Sequence, residues 1–327
     1  MTIVKGIVIG KFDMFHIGHK ALINFAKKQC DVLYVLVCMN DKREKTPGYI
    51  RLQWLLDEYR TDDQIIIKYT DKKLPYTSVS SRAISALWGN HIYELLPDIN
   101  VIISSEPYGE FMAEWLGIKH VMFDEERKNI KISSTIIRKD PFKYWDYIPE
   151  VVRPYFVKKV CLCGTESTGK TILTDILAKH YNTNFVQEWG RKVVDTSETT
   201  TNDNILKIGE LHAKDILEKI KSSNKILFSD TDINTTKMYS KFLFDNIPTF
   251  EDWIEEANKF DLYIFLEKDS PYVQDGTRLS KEKRDELRDY HYNQLTSIGV
   301  KIEVVDGENW DDRTKKAIDI IDKYFFS

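Results

Sequence analysis

The eight residues Gly164-Thr165-Glu166-Ser167-Thr168-Gly169-Lys170-Thr171 satisfy G-x-x-x-x-G-K-[ST] in full. They follow the apolar run KKVCLC and open the stretch GKTILTDILAKHY, whose apolar residues recur at helical spacing. Between a buried strand and a helix, such a loop turns backbone N–H groups and the positive end of the helix dipole toward an anion the size of phosphate. The segment therefore commits its half of the chain to an α/β fold. In that geometry Lys170 neutralises the β- and γ-phosphates of a nucleoside triphosphate. Thr171 offers its hydroxyl to Mg²⁺, and the residues from Gly164 through Gly169 wrap the phosphates.

The surrounding sequence continues this pattern. The runs NFVQE, KILFSD, LYIFLEK and KIEVVDG read as strands, with DNILKIGELHAKDILEKIKSS as a long helix between them. TSETTTND at 196–203 reads as a polar loop in which Asp203 caps that helix. A magnesium carboxylate belongs at the end of a neighbouring strand, where KILFSDTD supplies Asp230 and Asp232. Either aspartate also suits a helix cap. We assign Asp230 to the metal and place Asp232 with the acceptor-binding residues. Further on, PYVQDGTRLSKEKRDEL sets a turn at Asp275-Gly276 before Arg278 and Arg284. Arg278 suits a lid over the triphosphate, whereas Arg284 fits a solvated helix start equally well. An alcohol acceptor is a poor nucleophile and needs a carboxylate beside it. Glu188, followed by Trp189, Gly190 and Arg191, ends a strand near the loop, where acceptors bind in doubly wound sheets. The base is Glu188 or Asp230.

The first half has its own strand–helix rhythm. IVKGIVIG, VLYVLVC, IIIKYT, VIISS and HVMFD are strand-like, with HKALINFAKKQ, YIRLQWLLDEYR and SRAISALWGNHIYELL helical between them. The rhythm breaks in DPFKYWDYIPEVVRPYFV, punctuated by Pro141, Pro149 and Pro154 and too apolar for a loose linker. A chain of 327 residues exceeds what one core usually organises, about 250–300. We therefore expect two doubly wound parallel-sheet domains, residues 1–150 and 151–327. Cys161 and Cys163 share one strand face and read as buried, with no disulfides expected. Net charge is −4 with no basic block, so nucleic acid is not an expected partner. The N-terminal apolar run is too short for a signal peptide or membrane span, which points to the cytoplasm and away from a membrane. Oligomeric state is not legible, and a homo-oligomer stays open.

His16-Ile17-Gly18-His19 follows the first strand and begins a helix, a place that favours polyphosphate. Near the end of the same half, Ile132-Ser133-Ser134-Thr135-Ile136-Ile137-Arg138 offers capping hydroxyls and, one turn on, a guanidinium. Together G-x-F-D-x-x-H-x-G-H and I-S-S-T-x-x-R resemble the nucleotidyltransferase superfamily over about residues 3 to 140. That resemblance implies a Rossmann-like domain joining a phosphate nucleophile to the α-phosphate of ATP, followed here by a P-loop kinase domain.

SSEPYGEFMAEWLG, ISSTIIRKDPFKYWDYIPEVVRPYFVKKVCLCGTESTGKT and VQEWGRKVV further resemble the NadR-type bifunctional enzymes. Those combine nicotinamide-mononucleotide adenylyltransferase with ribosylnicotinamide kinase and use ATP and Mg²⁺. The resemblance implies ATP held by Lys11, His16, His19, Ser133, Thr135 and Arg138, with His16, His19 and Arg138 catalytic. It places Ser104, Ser105, Glu106 and Tyr108 near the mononucleotide. Trp88 either stacks on nicotinamide or belongs to the core, and Trp189 carries the same ambiguity in the other half. Met14 stands where relatives have proline in F-D-P, which bears on the turn. Some relatives begin with a helix-turn-helix domain. This chain opens on the first strand, so a repressor role is not expected. Two other readings share the motifs: a coenzyme A synthase (phosphopantetheine adenylyltransferase with dephospho-coenzyme A kinase), and a nucleotide sensor without turnover.

Overall fold

The structure, a computed structural model, describes residues 2–39, 44–75, 79–124, 131–194, 200–267, 281–307 and 309–327. The chain divides into two compact units, residues 1–152 and 153–327.

In the first unit, strands β1 (Lys5–Gly10), β2 (Val32–Cys38), β3 (Ile65–Thr70), β4 (Val101–Ser104) and β5 (Lys119–Met122) form a sheet ordered β3-β2-β1-β4-β5. Every pairing is parallel. Helices α1 (Ile17–Lys27), α2 (Gly48–Glu58), α3 (Arg82–Leu95), α4 (Tyr108–Leu116) and α5 (Ser134–Lys139) make or follow the crossovers. Parallel strands need such crossovers, and the helices cover both faces of the sheet. That is why β1 and β2 are apolar almost throughout, with Ile7, Val8, Leu33, Val35, Leu36 and Val37 fully buried. β1 lies between β2 and β4, so the chain leaves it toward both sides. The crevice this opens at the strand ends is where ligands bind in open α/β sheets.

The second unit repeats the logic with a different order. β6 (Lys158–Cys163), β7 (Phe185–Val186), β8 (Ile226–Asp230), β9 (Leu262–Leu266) and β10 (Ile302–Val305) form a parallel sheet ordered β10-β9-β6-β8-β7. Its helices are α6 (Lys170–His180), α7 (Gly190–Val193), α8 (Asn202–Lys219), α9 (Ile233–Phe244), α10 (Asp252–Ala257), α11 (Lys281–Ser297) and α12 (Trp310–Phe325). Cys161 and Cys163 are buried on one face with Tyr263, Phe265 and Leu295, and burial pushes both thiols well up.

Two local expectations change. NFVQE shortens to Phe185–Val186, leaving Glu188 on the turn beyond the strand. Thr201, rather than Asp203, caps α8: its side chain accepts from the Asn204 N–H at 3.2 Å, and Asn204 reaches back to the Thr201 N–H. Asp203 lies in the first turn, where its charge suits the dipole. The 140–157 stretch forms short 3₁₀ turns at Trp145–Tyr147 and Arg153–Tyr155. Phe142, Trp145, Ile148 and Val152 are buried there, with the Phe142 and Trp145 rings edge to face at 5.8 Å. Among the described residues, no helix is long and apolar enough to cross a membrane.

Candidate active sites

At the end of β1, His16 caps α1. Its Nδ1 accepts from the Gly18 N–H at 3.0 Å, and His19 Nδ1 accepts from the His16 N–H at 3.3 Å. With both Nδ1 atoms accepting, the proton of each neutral ring falls on Nε2. The two rings lie 4.0 Å apart, and Phe12 and Phe15 pack on His19. The cap geometry thus converts two imidazoles into a pair of N–H donors beside a helix N-terminus.

The second motif docks onto the same loop. Ser133 caps α5. The Ser134 hydroxyl donates to the Met14 carbonyl at 3.1 Å. Arg138 donates to the Asp13 carbonyl and, at 3.3 Å, to the Thr135 hydroxyl. Because the clasp uses the Met14 backbone while its side chain is buried, the missing proline removes none of these contacts. Sequence reasoning missed the other wall of the loop. Fully buried Arg51 donates to the carbonyls of Lys11, Cys38 and Thr46, and buried Glu44 pairs with Lys11 at 2.8 Å. An Arg inside an amphipathic helix is common, and only its burial reveals the role.

The expected mononucleotide residues behave differently from one another. Ser104 is buried; its hydroxyl donates to the Glu106 carbonyl at 2.8 Å and is shared with His120 Nε2 at 3.0 Å. The Tyr108 hydroxyl donates to the Ile9 carbonyl at 2.8 Å. Ser104 thus braces the β4–α4 turn, and Tyr108 ties the start of α4 to β1, which sets both beside the end of the first strand. Gly109 makes the packing possible, since a Cβ there would lie 2.2 Å from Ser104 Oγ. Ser105 is half-buried and Glu106 exposed beside them. Trp88 is half-buried: it packs against the cluster containing Ile92, Leu96 and Met112, and its indole N–H donates to the Pro75 carbonyl at 3.1 Å.

In the second unit the phosphate loop has the backbone its sequence demands. Gly164, Ser167 and Gly169 have φ of 132°, 61° and 85°. A Cβ on Gly164 would stand 2.7 Å from the Leu266 carbonyl oxygen. The Thr168 hydroxyl and the Lys170 ammonium both donate to the Thr165 carbonyl at 2.9 Å, which places Lys170 inside the loop. The Thr171 hydroxyl donates to Asp230 Oδ2 at 2.5 Å. Asp230 is fully buried, and its Oδ1 has no hydrogen-bond partner among the described residues. Burial pushes this carboxyl up, Lys170 opposes the shift, and Glu188 adds to it.

Around the acceptor side, Arg191 Nε pairs with Glu188 at 2.7 Å, and the Trp189 indole donates to Asp215 at 3.2 Å. The Tyr239 hydroxyl, from α9, donates to Glu166 at 3.3 Å; burial and the Glu166 carboxylate push its pKa well up. Tyr239 and Asp215 carry no motif and were not legible from spacing. Asp232 is a correction. It is fully buried and caps α9, accepting from the Thr235 N–H and hydroxyl, the Asn234 amide and the Tyr263 hydroxyl at 2.7–2.9 Å. Its lone pairs are committed to the fold, leaving nothing for substrate. Arg278 and the Asp275-Gly276 turn lie outside the described residues, as does the Arg284 side chain.

Comparisons with known proteins agree with this division. Residues 7–140 match the family described as cytidylyltransferase-like, and residues 159–313 match the family described as an AAA domain. The trifunctional NAD biosynthesis/regulator protein NadR of Escherichia coli (strain K12) is 31% identical over 345 residues, covering 97% of this chain and 82% of that protein. NadR of Salmonella typhimurium (strain LT2) is 30% identical over 342 residues with the same coverage. Crystal structures of NadR protein, one with NR and one with NAD and AMP-PNP, each align with a TM-score of 0.81 at 22% identity. They cover 99% and 100% of this chain, and 96% and 97% of theirs. At that identity the structures establish the shared fold, while the sequence relatives establish kinship: the chain belongs to the NadR family.

Proposed function

We propose that the chain makes NAD in two ATP-dependent steps, one in each unit: phosphorylation of nicotinamide riboside in residues 153–327, then adenylylation of the resulting mononucleotide in residues 1–152. The observation that carries this reading is the kinship with NadR over 97% of the chain, which spans both intact sites. Cytoplasmic ATP and Mg²⁺ would supply both reactions.

In the kinase step the phosphate loop and Lys170 hold the donor triphosphate. The riboside hydroxyl attacks the γ-phosphorus, the bond to the β–γ bridging oxygen breaks, and ADP leaves. Lys170 answers the charge that moves onto that oxygen. Mg²⁺ fits the donor set here: the Thr171 hydroxyl, the orphaned Oδ1 of Asp230 and the pocket's phosphates. Among the described residues no cluster of three or more His, Cys, Asp or Glu could hold a metal, and a phosphate-bound Mg²⁺ needs only one or two protein oxygens. When bound, Mg²⁺ supplies charge neutralisation on the phosphates. With Asp230 on the metal side, Glu188 is the base that takes the riboside proton, and Arg191 fixes its carboxylate.

In the transferase step a phosphate oxygen of the mononucleotide attacks the α-phosphorus of ATP and pyrophosphate leaves. The nucleophile is already ionised, so positioning and charge stabilisation suffice. The Nε2–H groups of His16 and His19 donate to the departing phosphates. Arg138, held by Asp13 and Thr135, adds positive charge beside the same loop.

The test is a substrate comparison. With ATP and Mg²⁺ the protein is expected to convert nicotinamide riboside to its mononucleotide and then to NAD, and to leave dephospho-coenzyme A untouched. Phosphorylation of dephospho-coenzyme A with no pyridine product would replace this reading with the coenzyme A one, and no turnover of either would favour a sensor.

A further inference from the structure

Trp310 is a residue that neither the motifs nor the mechanism above uses. It is the first residue of α12, just after β10, and it is 38% exposed although large and apolar. Its indole lies against the phosphate loop: a Cβ on Gly169 would stand 2.0 Å from Trp310 Cη2. Behind the ring is buried Arg313, whose guanidinium is 5.6 Å from the ring centroid and donates to the Glu267 carbonyl at 2.9 Å. Asn309 fixes the start of the helix by accepting from the Asp312 N–H at 2.8 Å. The result is a rigid, half-exposed aromatic face at the rim of a triphosphate site.

Sheet order says which end of the nucleotide reaches it. In β10-β9-β6-β8-β7, the acceptor-side residues Asp230 and Glu188 follow β8 and β7, on one flank of β6. Trp310 follows β10, on the opposite flank. A triphosphate seated in the loop after β6 points its γ-phosphate toward the acceptor, so its nucleoside leaves on the other flank.

We propose that Trp310 is the stacking platform for the base of the phosphate donor in the second unit. The proposal rests on reading that unit as a kinase. Recognition through a π-face favours the larger purine ring over a pyrimidine and adds to binding of the donor, not of the riboside.

Three variants and two readouts test it. Trp310→Leu keeps apolar bulk against Gly169 and removes the aromatic face; Trp310→Phe keeps a smaller face; Trp310→Ala removes both. Leu and Ala should raise the kinase KM for ATP by roughly 5- to 150-fold. They should leave the KM for riboside and the rate of NAD formation from mononucleotide unchanged, and Phe should stay near native. Independently of any acceptor, ATP titration should quench a tryptophan fluorescence component that Trp310→Phe lacks. A native KM for ATP in the Leu variant, or an equal rise in the riboside KM, would overturn the proposal. If the native chain phosphorylates no riboside, the kinase reading fails, while the fluorescence difference still decides whether Trp310 meets the base: its absence refutes the platform.

Discussion

Arg138 Nη1 lies 3.4 Å from Asp13 Oδ2 and also donates to the Asp13 carbonyl, so two residues 125 positions apart close one clasp between the loop after β1 and helix α5. We propose that the clasp aligns the histidine pair with the second motif, in a reaction whose rate would come from positioning. Asp13→Ala should lower NAD formation from mononucleotide by roughly 10²-fold, the scale of a small misplacement of reacting groups. Riboside phosphorylation serves as the internal control and should hold steady. Native transferase rates in the variant would show that the Asp13 carboxylate is not needed for the alignment.

Asp230→Asn should abolish riboside phosphorylation and yet raise the melting temperature measured in EDTA. Burial raises the folded-state pKa of Asp230 above its ordinary value of 3.8. A raised carboxyl costs nothing below the unfolded pKa and lowers stability as pH rises through the folded pKa. The gain from Asn should therefore be small near pH 3.8 and larger at neutral pH. A variant that melts lower than the native protein at neutral pH would contradict the assignment of burial as the dominant influence.

Asp232→Ala, two residues away, should do the reverse. It removes a helix cap and leaves the buried Tyr263 hydroxyl without its acceptor, while the Asn234 amide keeps only its bond to the Tyr263 oxygen. Together these losses amount to about 3 kcal/mol, which lowers the melting temperature of a domain this size by roughly 6–12 °C. Calorimetry checks it. An unshifted melting curve accompanied by weaker riboside binding would restore Asp232 to the substrate site.

A fragment of residues 153–327 should fold, bind ATP and phosphorylate nicotinamide riboside without the rest of the chain. It holds the phosphate loop, Asp230, Glu188 and Arg191 in one compact unit with its own sheet. The opposite fragment must keep residues through 152, because Phe142, Trp145, Ile148 and Val152 are buried. Circular dichroism establishes folding. A folded but inactive 153–327 fragment would mean that the kinase borrows residues from the first unit.

Much of this was legible beforehand because the local physics is strong. Apolar strands alternating with amphipathic helices specify parallel sheets, and a glycine loop between strand and helix can adopt its positive φ angles at little cost. Sequence spacing put His16 and His19 at the start of α1, Arg138 in a short helix after Ser133, and Lys170 and Thr171 at the start of α6, which are their positions in the fold. It failed where a side chain has two polar options. Asp230 and Asp232 are alike in sequence, and only the turn decides that one caps α9 while the other faces Thr171. The hydroxyls of Ser104 and Tyr108 are equally ambiguous in sequence, and only the fold shows that one bonds within its own turn and the other across to the Ile9 carbonyl. Tyr239, Arg51 and Trp310 have no local signature, because each acts on a loop distant in the chain.

The central claim, two independent sites acting in series, is tested most directly by complementation. Lys170→Ala removes the charge that answers γ-phosphate transfer, and His19→Ala removes a donor to pyrophosphate; each should slow its own step by roughly 10²-fold or more and spare the other. With nicotinamide riboside, ATP and Mg²⁺, neither variant alone should form NAD at an appreciable rate. Mixed together they should, because mononucleotide made by the His19 variant diffuses to the Lys170 variant. Failure of the mixture with both variants folded, or loss of both activities in either one, would contradict the account.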